Sequence, residues 1–400
     1  MPEPKSISQP PLLEIKSLTV GYKSPIVTGI SMACGRGLFV SLLGANGSGK
    51  TTLLRTVSKH IKPLAGQVFI NGQSLSSVKT SDLARVMSVV LTDRSSVPML
   101  RGLEFVALGR HPHSDFLGRL TDADLSVVEK ALESVKAADL AERFIDELSD
   151  GERQKIVLAR ALAQEPKLML LDEPTAHLDL KHRLEVLGIL RGLCQKRELT
   201  VLAALHDVEA AAKVSDLVVT IKDGRLTGFG PSEQILTPEA VKELYDCPHA
   251  NYDSLLGSLE MAPDGRAGRA FVLGGRDTAA LIYRLLAKKG YSLISGFFLE
   301  SDLDAHVAAA LGGTVFSFKD GENPPEEKFL AESLKELQNA AIMVQGPAGG
   351  PLPDLRQRLV SEAKNRGIPV LTVGPDGDLG PLMASLKKLD DGQGLIKSAA

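Results

Sequence analysis

The sequence lacks the features of a membrane-spanning, secreted or disulfide-linked protein. Its 400 residues include no apolar run long enough to cross a bilayer. Residues 1–11 carry no basic segment followed by an apolar one, so we expect no signal peptide. The cysteines Cys34, Cys194 and Cys247 are odd in number and far apart, which argues against a zinc or redox motif. We expect a reducing compartment, with any role at a membrane exercised through a partner protein.

A strong charge of either sign is also missing. Lys and Arg number 46 against 49 Asp and Glu, which leaves a formal net charge of -3. This balance gives no electrostatic reason to expect nucleic acid or an anionic membrane surface as a partner. The length and the apolar fraction of 44% predict two globular domains with ample material for a core.

Two series of predicted strands and helices are separated by one irregular stretch. Residues 12–250 form the first series, in which buried runs such as 168–171 predict parallel strands. Residues 251–268 are polar and contain Gly and Pro, which predicts a linker. Residues 269–390 predict a smaller Rossmann-like βα domain. Its strand candidates are 270–273, 293–299, 314–318, 340–345 and 369–373.

Residues 44–51, GANGSGKT, form a complete phosphate-binding motif between a buried strand and a helix. Glycines let the backbone N–H groups turn inward around a triphosphate, and the helix adds its positive end. Lys50 would reach the β- and γ-phosphates, and the Thr51 hydroxyl would coordinate Mg²⁺. The residues predicted here to bind ATP are Gly44, Asn46, Gly47, Ser48, Gly49, Lys50, Thr51 and Thr52.

Two carboxylates, Asp172 and Glu173, follow the buried run 168–171. Delivering two acids to the edge of a sheet is costly unless a cation or a proton transfer uses them. Asp172 would help hold Mg²⁺, and Glu173 would act as general base on the attacking water. The alternative is an ordinary acidic cap for the next helix, but the phosphate loop favours the catalytic interpretation.

Residues 148–154, LSDGERQ, precede a helical stretch and resemble the LSGGQ signature of ABC transporter nucleotide-binding domains. The resemblance covers residues 12–245, with the motifs in the family's order. It implies an α/β fold with a P-loop ABC ATPase domain and a helical subdomain. It also implies that Ser149, Gly151 and Glu152 bind ATP held by a second copy of the chain, so that ATP joins two protomers.

The same resemblance assigns further roles. Tyr22 looks like the residue that stacks on adenine, and Asp179 lies in a segment that resembles the D-loop. His206 resembles the switch histidine that contacts the γ-phosphate and helps hold the attacking water. Thr92 stands where the family usually has Gln, and its shorter reach predicts that a water or Asp93 completes the contact to Mg²⁺.

Two acidic residues depart from the family's signature. Asp150 stands for its first glycine and Glu152 for its glutamine. A carboxylate at either place would repel phosphate unless it points away. We therefore expect the backbone N–H donors to do the binding.

Residues 103–118 resemble the corresponding region of importer ATPases for iron–siderophore complexes, haem and vitamin B12. The resemblance implies a metal chelate as cargo and transmembrane permease subunits as partners. It places the chain at the cytoplasmic face of the inner membrane, held peripherally by the permease. A soluble ABC-type ATPase switch, or a sensor whose C-terminal domain binds a ligand, is the alternative.

The second domain begins with a strand, a glycine turn and a helix over residues 271–278. This order is typical of a dinucleotide-binding unit, but the spacing is not G-x-G-x-x-G. No convergent set of nucleophile, base and acid accompanies it. A regulatory or ligand-sensing module is favoured over a second enzyme, and a dimerisation or docking domain stays open.

Overall fold

A computed structural model describes most of the chain. The described residues are 10–91, 99–114, 118–247, 250–274, 279–319, 321–322, 324–346 and 352–397. The chain divides into two compact units, residues 1–236 and 237–400. Within the described residues, no helix combines the length and apolarity needed to cross a membrane.

The first unit is built on one ten-stranded sheet. Its strands are β1 (Leu13–Gly21), β2 (Pro25–Cys34), β3 (Phe39–Leu43), β4 (Ala65–Ile70), β5 (Gln73–Ser74), β6 (Met87–Val90), β7 (Leu168–Asp172), β8 (Thr200–Ala204), β9 (Leu217–Lys222) and β10 (Arg225–Pro231). Their order is β5-β4-β1-β2-β10-β9-β3-β8-β7-β6. Antiparallel pairing joins β1 to β2 and β4, whereas β9, β3, β8, β7 and β6 run parallel.

The parallel strands position the site. Every residue of β3, β7 and β8 is buried, which explains their continuous apolar runs. Because parallel strands end at one edge of the sheet, the residues that follow these three strands come together there. These residues are the phosphate loop after β3, Glu173 after β7 and His206 shortly after β8.

Helices cover the sheet and form a cluster beside it. They are α1 (Lys50–Val57), α2 (Thr80–Ala84), α3 (Gly102–Ala107), α4 (Asp122–Ser134), α5 (Asp150–Ala163), α6 (Leu180–Arg197), α7 (Val208–Val214) and α8 (Ser232–Ile235), with 3₁₀ turns at Leu108–His113, Ala138–Leu140 and Ile145–Glu147. Helices α3, α4 and α5 pack on one another. They form the expected helical subdomain.

The second unit is a doubly wound α/β fold. Its parallel strands are β13 (Gly268–Leu273), β14 (Tyr291–Leu299), β15 (Thr314–Phe318), β16 (Ala340–Gln345) and β17 (Val370–Thr372), in the order β15-β14-β13-β16-β17. Its helices are α9 (Pro238–Tyr245), α10 (Ala279–Lys288), α11 (Leu303–Ala310), α12 (Glu326–Leu337), α13 (Pro353–Asn365) and α14 (Gly380–Lys397), with a 3₁₀ turn at Pro375–Gly377. One apolar cluster joins α10, α11 and α14 to the sheet, and a second joins α12 and α13. This arrangement confirms the Rossmann-like prediction.

The structure differs from the predicted linker at residues 251–268. Strands β11 (Ala250–Asp253) and β12 (Ser258–Met261) form an antiparallel hairpin there. The turn is polar because Asp253 Oδ1 accepts bonds from the N–H groups of Leu255 (2.8 Å) and Leu256 (3.0 Å). Glu260 of β12 accepts a 2.9 Å bond from Arg284 Nε of α10. The polar residues of this stretch therefore serve a folded hairpin, and the first unit ends at Leu236 rather than near residue 250.

Candidate nucleotide site

The phosphate loop leaves the buried strand β3 and turns sharply into α1. Gly49, which immediately precedes α1, has a φ of 101°. A Cβ atom there would lie 2.4 Å from Val27 Cγ2, and one at Gly44 would lie 2.4 Å from the carbonyl oxygen of Ile221. Both positions therefore admit only glycine without movement of the surrounding backbone or core.

Lys50 is the only cation among the predicted phosphate-binding residues, and it is 5% exposed. Its Nζ donates to the carbonyl oxygens of Gly44 (2.7 Å) and Ala45 (3.0 Å). Burial lowers the pKa of Lys50, while the nearby carboxylates Glu173 and Asp172 oppose that shift. The ammonium group of Lys50 thus donates to two neutral acceptors of the loop, which an anionic phosphate can replace.

Thr51 and Asp172 form the candidate Mg²⁺ position. The Thr51 hydroxyl donates to Asp172 Oδ1 at 3.0 Å, and Asp172 is 4% exposed at the end of β7. Hydroxyl and carboxylate oxygens are ligands that suit Mg²⁺, which usually keeps several waters and substrate oxygens. The described residues contain no group of three or more His, Cys, Asp or Glu that could hold a metal. Thr51 and Asp172 therefore suit a metal ion that takes few ligands from the protein and the others from phosphate oxygens and water.

Glu173 and His206 lie side by side at the ends of neighbouring strands. His206 Nε2 is 2.5 Å from Glu173 Oε1, and the two side chains are 41% and 30% exposed. Glu173 adopts a left-handed backbone with φ of 52°, and its N–H donates to the carbonyl oxygen of Ala204 at 3.2 Å. This turn directs the carboxylate out of β7 and beside the histidine, where it can accept a proton.

Lys50, Thr51, Glu173 and His206 meet in one cavity of about 280 Å³. It is lined by Ile26, Asn46, Gly47, Ser48, Gly49, Lys50, Thr51, Thr52, Glu173 and His206. Sequence analysis predicted all of these residues except Ile26, which lies on β2 and belongs to no motif. Ser48 Oγ is buried and has no hydrogen-bond partner within the described structure, so it is a donor available to a ligand.

As far as the described residues show, this lining does not include three other predicted residues, Gly44, Asp172 and Tyr22. Tyr22 follows β1 and is 58% exposed, with its hydroxyl 3.4 Å from Arg55 Nη1 of α1. An exposed ring at the end of β1 is free to stack on a planar base. Thr92, predicted at the Mg²⁺-sensing position, lies outside the described residues.

The signature segment forms the N-terminus of α5. Ser149 is the N-cap, and its N–H and hydroxyl donate to Glu152 Oε2 at 2.9 and 2.8 Å. Arg143 donates to the other oxygen of that carboxylate at 2.8 Å. The Ser149 N–H above all, then its hydroxyl and Arg143, lower the pKa of Glu152. The carboxylate of Glu152 therefore turns back onto Ser149, and Asp150 is exposed.

The segment that resembles the D-loop ends at the N-terminus of α6. Asp179 caps that helix, accepting a 2.8 Å bond from the His182 N–H, and its side chain is 64% exposed. This backbone bond is the main cause of the lowered pKa of Asp179. As far as the described residues show, the 280 Å³ cavity includes none of Ser149, Gly151, Glu152 and Asp179 in its lining. One chain therefore presents two separate sets of predicted ligand-binding groups.

Comparison with known proteins gives the family. The ABC transporter family model matches residues 27–176. An ABC transporter ATP-binding protein of Methanocaldococcus jannaschii is 40% identical over 287 residues, which are 71% of this chain and 99% of that protein. The cobalamin import ATP-binding protein of Halobacterium salinarum is 32% identical over 345 residues, covering 84% of this chain and 85% of that protein.

A solved structure agrees with these relatives. It is described as a metal-chelate type ABC transporter in an inward-facing conformation, with 27% identity and a TM-score of 0.54. The match covers 62% of this chain and 95% of the solved one. With a relative of 40% identity covered over almost its whole length, the chain belongs to the ATP-binding proteins of ABC transporters, ATPases that hydrolyse ATP to power transport.

Proposed function

We propose that this chain powers the import of a metal chelate, acting as a dimer on transmembrane permease subunits. The observation that supports the dimer most directly is the separation of two sets of groups. The phosphate loop, Glu173 and His206 share one cavity, while the signature and Asp179 lie outside its lining. A second copy can bring its signature to that cavity and complete it.

ATP would bind with its phosphates along residues 44–52. Lys50 would exchange its two carbonyl acceptors for β- and γ-phosphate oxygens, and the Gly49 end of α1 would face the same anion. Thr51 and Asp172 would hold Mg²⁺, which neutralises phosphate charge when bound. Tyr22 would contact adenine.

Hydrolysis would rest on the pair at the ends of β7 and β8. Glu173 accepts a proton from the attacking water, and His206 holds that water against the γ-phosphate. The 2.5 Å contact between their side chains supports a shared position for the two groups. General-base catalysis of this kind contributes about 10²- to 10⁴-fold to a rate.

The partner chain would close the site with Ser149 and the N–H of Gly151. In the free chain, Ser149 donates its hydroxyl to Glu152. A γ-phosphate would therefore compete with the Glu152 carboxylate for the same hydroxyl, and Arg143 would keep that carboxylate neutralised. Removing the γ-phosphate by hydrolysis would return Ser149 to Glu152 and let the dimer open.

Metal-chelate cargo is supported by the named relatives. The Halobacterium salinarum relative is a cobalamin import ATP-binding protein, and its similarity extends over 84% of this chain. The 345 matched residues outnumber the 236 residues of the first unit, so the similarity includes part of the second unit. We therefore favour a corrinoid among the chelates, with the protein held by its permease at the cytoplasmic face of the membrane. The second unit would serve as a regulatory or ligand-sensing module.

The substitution Glu173→Gln tests this proposal. We expect ATP binding to persist, hydrolysis to fall at least 100-fold, and an ATP-bound dimer to accumulate in size-exclusion chromatography. Glu129→Gln, an exposed acid on α4, is the matched control and should behave as wild type. Wild-type turnover in Glu173→Gln would show that another group is the base, and ATP-saturated protein that stays monomeric would contradict the shared site.

A further inference from the structure

Gly151 of the signature lies against the ring of His182 from α6. A Cβ atom at position 151 would lie 2.4 Å from both Cγ and Cδ2 of that ring. Real Cβ atoms do not approach so closely, so the ring and any side chain at 151 exclude each other. The contact is internal to one chain, and it gives position 151 a need for glycine that is independent of any ligand.

The same histidine holds Asp179. Its backbone N–H and its ring Nδ1 each lie 2.8 Å from Asp179 Oδ1. One side chain therefore contacts both segments that we assign to the partner's nucleotide: the signature at Gly151 and the segment that resembles the D-loop at Asp179. The ring is 25% exposed, so its orientation is constrained by these two neighbours.

An ion pair one turn further along braces the two helices. Lys155 of α5 lies 2.7 Å from Glu185 of α6, and the two side chains are 13% and 31% exposed. Lys155 comes four positions after Gly151 on α5, and Glu185 comes three positions after His182 on α6. Each therefore lies on the same face of its helix as the earlier residue. Helices α5 and α6 are thus joined at two successive points beside the signature.

We infer that His182 is a positioning residue that ties the signature and Asp179 of one chain into a single rigid piece. The inference rests on the proposed dimer, in which both segments reach the partner's nucleotide. With His182 in place, Ser149 and Asp179 arrive together in one geometry. Without it, the two segments move separately and the closed site forms less often.

The inference predicts why position 151 must be glycine. If the His182 ring sets that requirement, removing the ring makes room for a methyl group. If close approach of phosphate sets it, removing the ring changes nothing. The variants Gly151→Ala, His182→Ala and the double variant separate these two cases.

We expect Gly151→Ala to lower kcat at least 20-fold and His182→Ala to lower it about 5- to 10-fold. The double variant should recover to within about threefold of His182→Ala. His182→Asn, whose amide can still donate to Asp179, should retain more activity than His182→Ala. Affinity for a non-hydrolysable ATP analogue in the monomer should stay within twofold throughout, because position 182 lies outside the described lining of the phosphate cavity.

The control for the added methyl group is Gly188→Ala on the exposed side of α6, where a Cβ meets no atom within 4 Å. It should leave kcat and dimerisation unchanged. A double variant as inactive as Gly151→Ala, or wild-type kcat in His182→Ala, would overturn the inference. Wild-type protein without ATPase activity or ATP-dependent dimers would instead contradict the proposed function. If Gly151→Ala fails to fold, His182→Ala and His182→Asn test the inference without it. They should lower kcat while the affinity of the monomer for the ATP analogue stays unchanged.

Discussion

Two connections in this molecule share one local design, a parallel strand followed by glycine and a helix. In the first unit, β3 leads through Gly49 to α1, and within the described residues no side chain caps that helix. In the second unit, β13 leads past Gly274 to α10, whose Ala279 and Ala280 N–H groups donate to Asp304 at 3.3 and 2.9 Å. Asp304 comes from α11 and is completely buried.

The difference between α1 and α10 shows that a strand followed by glycine and a helix predicts a turn and does not by itself predict a bound ligand. A helix N-terminus attracts an anion, and that anion can be a phosphate or a carboxylate of the protein itself. In the second unit, the carboxylate of Asp304 already accepts from the N–H groups of Ala279 and Ala280, the first described residues of α10. We therefore expect phosphate binding at α1 and structural stabilisation at α10.

The largest effect is expected from Asp304→Ala. It leaves the buried N–H group of Ala279 and the partly buried one of Ala280 without their acceptor, which should cost about 2–4 kcal/mol of unfolding free energy in the second unit. Urea unfolding followed by circular dichroism would measure it, with the exposed Asp354→Ala in the first turn of α13 as control. Asp304→Asn, which keeps one oxygen acceptor, should lose less. A variant as stable as wild type would remove the contrast between the two helices.

Lys50→Ala should weaken ATP binding without lowering the unfolding free energy, the reverse of what we expect for Asp304→Ala. Loss of its charge-assisted contacts should weaken ATP binding by about 1.5–3 kcal/mol, a factor of roughly 10 to 150 in Kd. The unfolding free energy should not fall, because burial already lowers the pKa of this lysine and disfavours its charge. Titration calorimetry with ATP would measure the change, with the exposed Lys130→Ala as control. Undiminished affinity would contradict the assignment of this end of α1 to phosphate.

A smaller effect is expected at α4, where a carboxylate of the same helix fills the N-terminus. The Thr121 N–H and hydroxyl donate to Asp124 Oδ2 at 2.9 and 2.7 Å, and Arg110 Nε donates to Oδ1 at 2.9 Å. These bonds, led by the Thr121 N–H, lower the pKa of Asp124 to about 2, well below the usual range of an aspartate. The stabilisation should be complete above about pH 5 and should disappear as the pH falls toward 2.

Comparing wild type with Asp124→Asn by urea unfolding at several pH values tests this. The difference in unfolding free energy should be largest near pH 7 and should shrink as the solution becomes acidic. Asp122→Asn, an exposed first-turn acid of the same helix, is the control and should show a weaker dependence. A difference that stayed constant between pH 7 and pH 3 would show that Asp124 does not act through its charge.

Much of the site could be predicted because its residues are contiguous motifs. The phosphate loop must follow a buried strand and open a helix, and Asp172 and Glu173 must end another. Ile26 was missed because it reaches the cavity from β2, where no motif distinguishes it from other apolar strand residues. The hairpin around Asp253 was missed because polar turn residues also mark linkers.

The sequence by itself determined the two α/β units, the phosphate loop and the carboxylates at the strand ends, because local geometry and strand polarity follow from residue type and order. Tertiary structure alone decided which helix N-terminus is open, since Asp304 lies 25 residues from Ala279 along the chain. It also decided that His182 packs on Gly151. The residues of each pair, Asp304 with Ala279 and His182 with Gly151, lie far apart along the chain and follow no helix or strand repeat. Only the packed chain brings them together.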